Sequence, residues 1–238
     1  MRESGACSSL LLTKVRLTRN LPGIPFSWKA SACQKKRIAA VIRPVLGKLC
    51  RGKALMLKGP TLAAFLRRFL PSSRAGKRAG LEVWILGDQK VAAIINHLDH
   101  LCIQSCHPGL STGRMLRRVE CLGRRLDALM PVARSREWGC LTASPADAGC
   151  GIGVSYLADF SALEITGTLD FALSRLCKAG MVCRPHSTGK NGRLWHMTTA
   201  RPYGLGSRTG LFRTEKALAQ VMTIEKAAAD IPAVGRAA

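Results

Sequence analysis

The stretch from residue 154 to residue 197 constrains the chain most, because its spacing sets the order of four elements. Leu169, Ala172, Leu173 and Leu176 stand at i, i+3, i+4 and i+7, which on a helix makes one apolar stripe facing a core. Leu157, Phe160 and Leu163 give a shorter stripe ahead of it. Residues 164–168, with Gly167 free to take a left-handed conformation, make the turn between two helices. Ala179-Gly180 stops the second helix, residues 181–184 can run extended, residues 187–192 have the Gly and Asn of a turn, and residues 194–197 return as a strand.

The same spacing occurs earlier at a constant offset. Val91, Ile94, Ile95 and Leu98 repeat the stripe, Ile103 falls with Met181, and Gly113-Arg114 falls with Gly192-Arg193 after one further residue. Residues 88–101 therefore read as a helix capped by Asp88, and residues 102–119 as strand, turn and strand. Upstream, Ile38, Ile42, Val45 and Leu49 predict a basic amphipathic helix over residues 34–49. Thr61 is a candidate cap for a helix over residues 62–69 that Pro71 ends, and residues 81–86 have the composition of a short strand. Residues 115–130 read as a returning strand that becomes a helix, residues 138–153 as a loop, and residues 214–229 as a C-terminal helix.

The pattern Leu173-x-x-Leu176-x-x-x-Gly180-Met181-Val182, followed by a basic turn and Gly192-Arg193-Leu194-Trp195, resembles the recognition helix and wing of winged helix-turn-helix DNA-binding proteins. The resemblance implies a mainly α fold with small β-hairpins, built as tandem winged helix-turn-helix units. Residues 1–33 would be a basic flexible arm, 34–119 and 120–200 the two units, and 201–238 a basic linker with the C-terminal helix. It also implies that Thr166, Thr168, Ser174 and Arg175 face the major groove, while Arg184, His186, Lys190 and Arg193 set a wing on phosphates or in the minor groove. Asp170 and Phe171 stand where such a helix is usually polar or basic. In the first unit the equivalent helix would show Gln89, Lys90, Asn96 and His97, with Arg114 in its wing. Gln and Asn suit adenine, and Lys suits guanine or phosphate, so the first unit is the better base reader.

Charge agrees with a polyanionic partner. Lys and Arg number 37 against 14 Asp and Glu, a formal net charge of +23, and up to Gly80 the sole carboxylate is Glu3. Double-stranded DNA is the leading partner and transcription regulation the leading role. A structural RNA-binding or ribosome-associated protein is the alternative. With 4 Trp, 2 Tyr and 6 Phe there is little to stack single-stranded bases, which favours a duplex. No apolar run reaches membrane-spanning length or forms a secretory signal, so no membrane partner and an intracellular site, cytoplasmic or nuclear, are expected. The acid-poor start also fits an organelle transit peptide. Ten cysteines without a signal read as reduced thiols. His97, His100, Cys102, Cys106 and His107 are close in sequence, but without a CxxC pair neither metal nor cofactor is expected. Dispersed carboxylates and the lack of a nucleophile elbow argue against an enzyme. The C-terminal helix offers a surface through which two copies could pair as a homodimer.

Overall fold

A computed structural model of the chain describes residues 10–50, 53–69, 80–87, 91–186, 194–199 and 208–230. Ten strands and six helices are assigned within them: β1 (Leu10–Arg19), α1 (Ala32–Leu49), β2 (Ala54–Met56), α2 (Gly59–Phe69), β3 (Glu82–Leu86), β4 (Val91–Ile95), β5 (Leu101–His107), α3 (Thr112–Leu129), β6 (Arg134–Ser135), β7 (Gly139–Cys140), β8 (Ile152–Asp159), α4 (Ser161–Ile165), α5 (Leu169–Lys178), β9 (Met181–Pro185), β10 (Leu194–Thr199) and α6 (Arg208–Ala229). Eight strands form one antiparallel sheet in the order β2-β3-β4-β5-β1-β8-β10-β9, and β6 and β7 pair separately.

The mainly α, tandem winged-helix expectation is therefore wrong. Its largest error is at the start of the chain. Leu10–Arg19, inside the segment expected to be a flexible arm, pairs with β5 on one side and β8 on the other. The helix expected over residues 88–101 is absent from its described part, residues 91–101: Val91–Ile95 is a strand with every residue buried, and Asn96, with φ of 59°, turns the chain back into β5. The segment around Val154, expected to be helical, is β8. Residues 115–119, expected to be extended, lie inside α3.

Alternation along the strands divides the sheet into two unlike faces. Val15, Leu17, Leu101, Ile103, Ile152, Val154, Tyr156 and Met197 project to one side and are almost wholly buried. Helices cover that side. In α1 the stripe of Ile38, Ile42, Val45, Leu46 and Leu49 is buried, and a capping box of Ser31 and Gln34 satisfies backbone donors at its start. Met115, Leu116, Val119 and Leu126 do the same for α3. Each such aliphatic side chain contributes roughly 1.5–3 kcal/mol when fully buried. Gly123 lets α3 approach β1 closely, since a Cβ there would lie 3.1 Å from Arg19 Nη2 and 3.4 Å from a Leu17 methyl.

Two polar contacts hold the covering layer in register. Arg19 at the end of β1 donates to Asp127 of α3 at 2.6 Å and to the Cys150 carbonyl at 2.8 Å, so its buried charge is matched. The Glu225 carboxylate of α6, 4% exposed, accepts from the backbone N–H groups of Ala162 and Leu163, both at 2.9 Å. Those groups open α4 and have no partner inside it.

Candidate functional site

The opposite face of the sheet carries the chemistry. Lys14 and Arg16 project there from β1 because the inward positions Val15 and Leu17 fix the alternation. The pairing puts Cys106 beside Lys14 and Gln104 beside Arg16 on β5, and Ser155 and Gly153 beside them on β8. On β10, Thr198 lies beside Ser155 and His196 beside Leu157. His196 in turn faces Arg184 on β9. The His186 ring lies 6.4 Å from that of His196, centroid to centroid. The centre of the sheet thus presents two cations, flanked by thiols, hydroxyls, an amide and an imidazole.

Arg16 is held by one strong contact. Asp147, in the short 3-10 turn Pro145–Asp147 that precedes β8, accepts from Arg16 Nε at 2.6 Å and from Arg16 Nη2 at 2.8 Å. This bidentate pair fixes the plane of the guanidinium. The Asp147 carboxylate is 5% exposed and the Arg16 side chain 24%. Burial opposes the Arg16 charge, but the hydrogen bonds and the charge of Asp147 outweigh it and raise the pKa above its ordinary value. Gly153 makes room for the pair, because a Cβ there would stand 2.8 Å from Arg16 Nε and closer still to the Asp147 carboxylate.

Burial sets the protonation of the neighbours. It lowers the pKa of Lys14, against the partial negative pull of Cys102 and Cys106. It pushes the Cys102 thiol up to about 11 and raises Cys106 as well, so both stay protonated at neutral pH. His196 is pushed down to about 4 by burial, with the charges of Lys14, Arg16, His186 and Arg184 adding to the effect. It is therefore a neutral imidazole at pH 7. Burial also raises the pKa of Asp99, which accepts from Asn20 Nδ2 and from the Ala143 N–H, both at 2.7 Å. A face of this kind attracts an anion with many oxygen acceptors and offers no thiolate nucleophile.

The residues expected from sequence to bind DNA are scattered. Arg184 and His186 reach this face. Asn96 is buried in the turn between β4 and β5, where its Nδ2 donates to the carbonyls of Lys35 and Gly80, each at 3.0 Å. His97 follows it, half-buried. Arg114 is exposed on α3, which covers the far side of the sheet. Thr166 and Thr168 hydrogen-bond each other in the turn before α5, and Ser174 is exposed on α5. Arg175 lies over the Phe171 ring and donates to Gln220 of α6. Gln89, Lys90, Lys190 and Arg193 fall outside the described residues. Lys14, Arg16, Gln104, Asp147 and His196 were missed by the sequence reading. A period-two signal from Thr13 to Thr18 could have found the first two.

A family model for the C-terminal catalytic domain of ATP:guanido phosphotransferases matches residues 53–200, more than half of the chain. The chain belongs to the ATP:guanido phosphotransferase family. It is 26% identical over 183 residues to a protein-arginine kinase of Halothermothrix orenii, covering 74% of this chain and 52% of that protein. To a protein-arginine kinase of Shouchella clausii it is 25% identical over 195 residues, covering 77% and 54%. The chain thus spans about half the length of these curated relatives. Among solved structures, the fold resembles the duplicated taurocyamine kinase of Schistosoma mansoni with bound transition-state analogue components (TM-score 0.77, 18% identity, 92% of this chain and 33% of that one). It also resembles a lombricine kinase (TM-score 0.70, 14% identity, 92% of this chain and 66% of that one).

Membership of an ATP:guanido phosphotransferase family overturns several expectations from sequence. The winged-helix resemblance, the transcription-regulator role, the duplex DNA and RNA partners and the exclusion of an enzyme all give way to a phosphotransferase family. The physical reason is that the wing-like hairpin is not a free appendage. Its strands β9 and β10 continue the large sheet, and α5 packs back on β9 and α6. Among the described residues, no group of three or more His, Cys, Asp or Glu side chains is placed to hold a metal ion. No described helix is long and apolar enough to cross a membrane.

Proposed function

We propose that this chain transfers a phosphoryl group from a nucleoside triphosphate to a guanidino nitrogen, with arginine side chains of proteins as the acceptor class. The supporting observation is that β1, which lies outside the residues the family model matches, pairs between two strands inside that match and carries Lys14 and Arg16 side by side on the polar face of the sheet. The protein-arginine kinase relatives suggest the acceptor.

In such a transfer the terminal phosphorus–oxygen bond of the triphosphate breaks and the nucleoside diphosphate leaves, a nitrogen–phosphorus bond forms, and the acceptor guanidinium gives up a proton to solvent. Negative charge spreads over the phosphoryl oxygens as the bond to the leaving group lengthens. Lys14 and Arg16 are placed to neutralise it from a face where burial strengthens their action. Asp147 keeps the Arg16 fork in one plane, so little rearrangement accompanies binding. Neutral His196 can donate one hydrogen bond without adding charge. Asp99 and Asp147 are the carboxylates whose charges reach Arg16 and help keep it protonated within the site.

The test is direct. The full chain is incubated with ATP and an arginine-containing protein, and the acid-labile nitrogen–phosphorus product is followed by phosphorus NMR and mass spectrometry. Nucleotide affinity is measured for wild type, K14M and R16M. Product formation, with each substitution weakening nucleotide binding about 10-fold to 100-fold, is the expected result, given roughly 1.5–3 kcal/mol for a charge-assisted hydrogen bond. Binding unaffected by both changes would remove the polar face from the reaction.

A further inference from the structure

Gln104 occupies the middle of β5, directly across from Arg16 on β1 and from Ala92 on β4. Its side chain points to the polar face and the residue is 3% exposed. The amide Nε2 is nevertheless without a hydrogen-bond partner among the described residues. A buried N–H group without an acceptor is destabilising, and folded proteins keep few of them.

The neighbours explain why no partner is found among the described residues. Arg16 is a cation with only N–H groups to offer, and Ala92 has no polar side chain. Cys102 and Cys106 flank Gln104 on its own strand, and burial keeps both as neutral thiols, which are weak acceptors. The nearest carboxylate on Arg16, that of Asp147, already takes two hydrogen bonds from the guanidinium. Of the groups that pair with Gln104 across the sheet or flank it on β5, none is therefore a strong acceptor. The missing partner must be an acceptor that tolerates adjacent cations, and a phosphate oxygen has that chemistry.

We infer that Gln104 is a ligand of the triphosphate chain, its Nε2 donating to a phosphate oxygen that Lys14 and Arg16 also draw in. The inference rests on the phosphoryl-transfer reading and assigns a third, uncharged contact to the same site. An amide supplies a hydrogen bond without a third positive charge beside Lys14, whose pKa burial already lowers. It also favours an oxygen-rich anion over a simple halide, because the bond is directional.

The experiment compares wild type with Q104M and Q104E, measuring binding of ATP and of inorganic tripolyphosphate together with thermal unfolding of the unliganded chain. Methionine keeps the length of the side chain and removes the orphaned donor, so Q104M should unfold at the same temperature or higher. It should bind both polyphosphates about 10-fold more weakly, as expected for one hydrogen bond to a charged group. Q104E should also keep its stability, with Arg16 opposite, yet bind more weakly still because a carboxylate repels phosphate. If wild type binds and both variants bind equally well, the inference falls alone. If both unfold at clearly lower temperature, Gln104 is a structural residue and the inference falls. If wild type binds neither ATP nor tripolyphosphate, the phosphoryl-transfer reading fails first.

Discussion

Replacing Gly153 with alanine adds one methyl group at the most crowded point of the site. A Cβ there would stand 2.8 Å from Arg16 Nε and 3.0 Å from Arg16 Nη2, and in harder contact with the Asp147 carboxylate. Gly153 pairs with Arg16 in the β1–β8 ladder, and two residues on β8 is also paired to β10, so the backbone has little freedom to withdraw. The ion pair must move instead. Losing one of its two charge-assisted hydrogen bonds removes about 1.5–3 kcal/mol, and water at the quarter-exposed arginine recovers part of that. Gly→Ala in an ordinary backbone conformation gains about 0.4–1 kcal/mol through the unfolded chain. The net is a destabilisation of about 1–2 kcal/mol, which for a chain of this size lowers Tm by roughly 2–8 °C. Scanning calorimetry on wild type, G153A, D147A and the double variant isolates the cause. With the Asp147 carboxylate gone, the Arg16 side chain is released to swing away from the added methyl, and G153A should become neutral or slightly stabilising, a coupling of about 2 kcal/mol. Equal losses in the two backgrounds, or no loss in wild type, would refute the account.

Two further outcomes follow from burial of the polar face. His196 titrates near 4 in the folded chain against 6.5 ordinarily, so between those values the unfolded chain binds a proton that the folded one refuses, and stability falls as pH is lowered from 6.5 to 4. The Tm profile of H196Q should be flatter than that of wild type across this window, and superimposable profiles would exclude the assignment. The thiols should differ sharply in reactivity: brief iodoacetamide treatment at pH 7.5, read by peptide mass spectrometry, should label exposed Cys33 and Cys121 and spare Cys102 and Cys106. Labelling of Cys102 as fast as Cys33 would show that the face is open to solvent.

Some elements are legible in the sequence because one physical cause dominates them. The stripe Ile38, Ile42, Val45 and Leu49 has a single buried face, and α1 is found there. Leu169, Ala172, Leu173 and Leu176 behave likewise in α5, and the Gly180 stop leads into β9. The misreadings arise where burial is two-sided. In Val91–Ile95 every residue is buried, so spacing within the run carries no phase, and a strand imitates a helical stripe. The apparent repeat built on that stripe inherits the error. β8 is hidden in the same way: Ile152 to Tyr156 are all buried, and the glycines that precede them suggest a loop. The candidate site is partly written in Thr13 to Thr18, where polar and apolar residues alternate. Asp147 carries no such mark, since its role depends on a turn that brings it to Arg16, more than a hundred residues earlier in the chain.

The net charge of +23 says that the surface attracts polyanions, and says nothing about how a polyanion is held. The cations differ in what surrounds them. Arg114, Arg117 and Arg124 are exposed on α3, on the side of the sheet away from Lys14 and Arg16. Exposed, hydrated cations of that kind make the diffuse, salt-sensitive contacts of duplex binding. Lys14 and Arg16 instead lie within a sheet face where burial already opposes their charge. A long duplex cannot follow two side chains into such a face, whereas a compact triphosphate can bring several acceptor oxygens to both at once. Burial of a few cations, rather than the number of them, therefore separates a phosphate-transfer site from a nucleic-acid surface. Burial is set by the pairing of β1 between β5 and β8, which composition does not report.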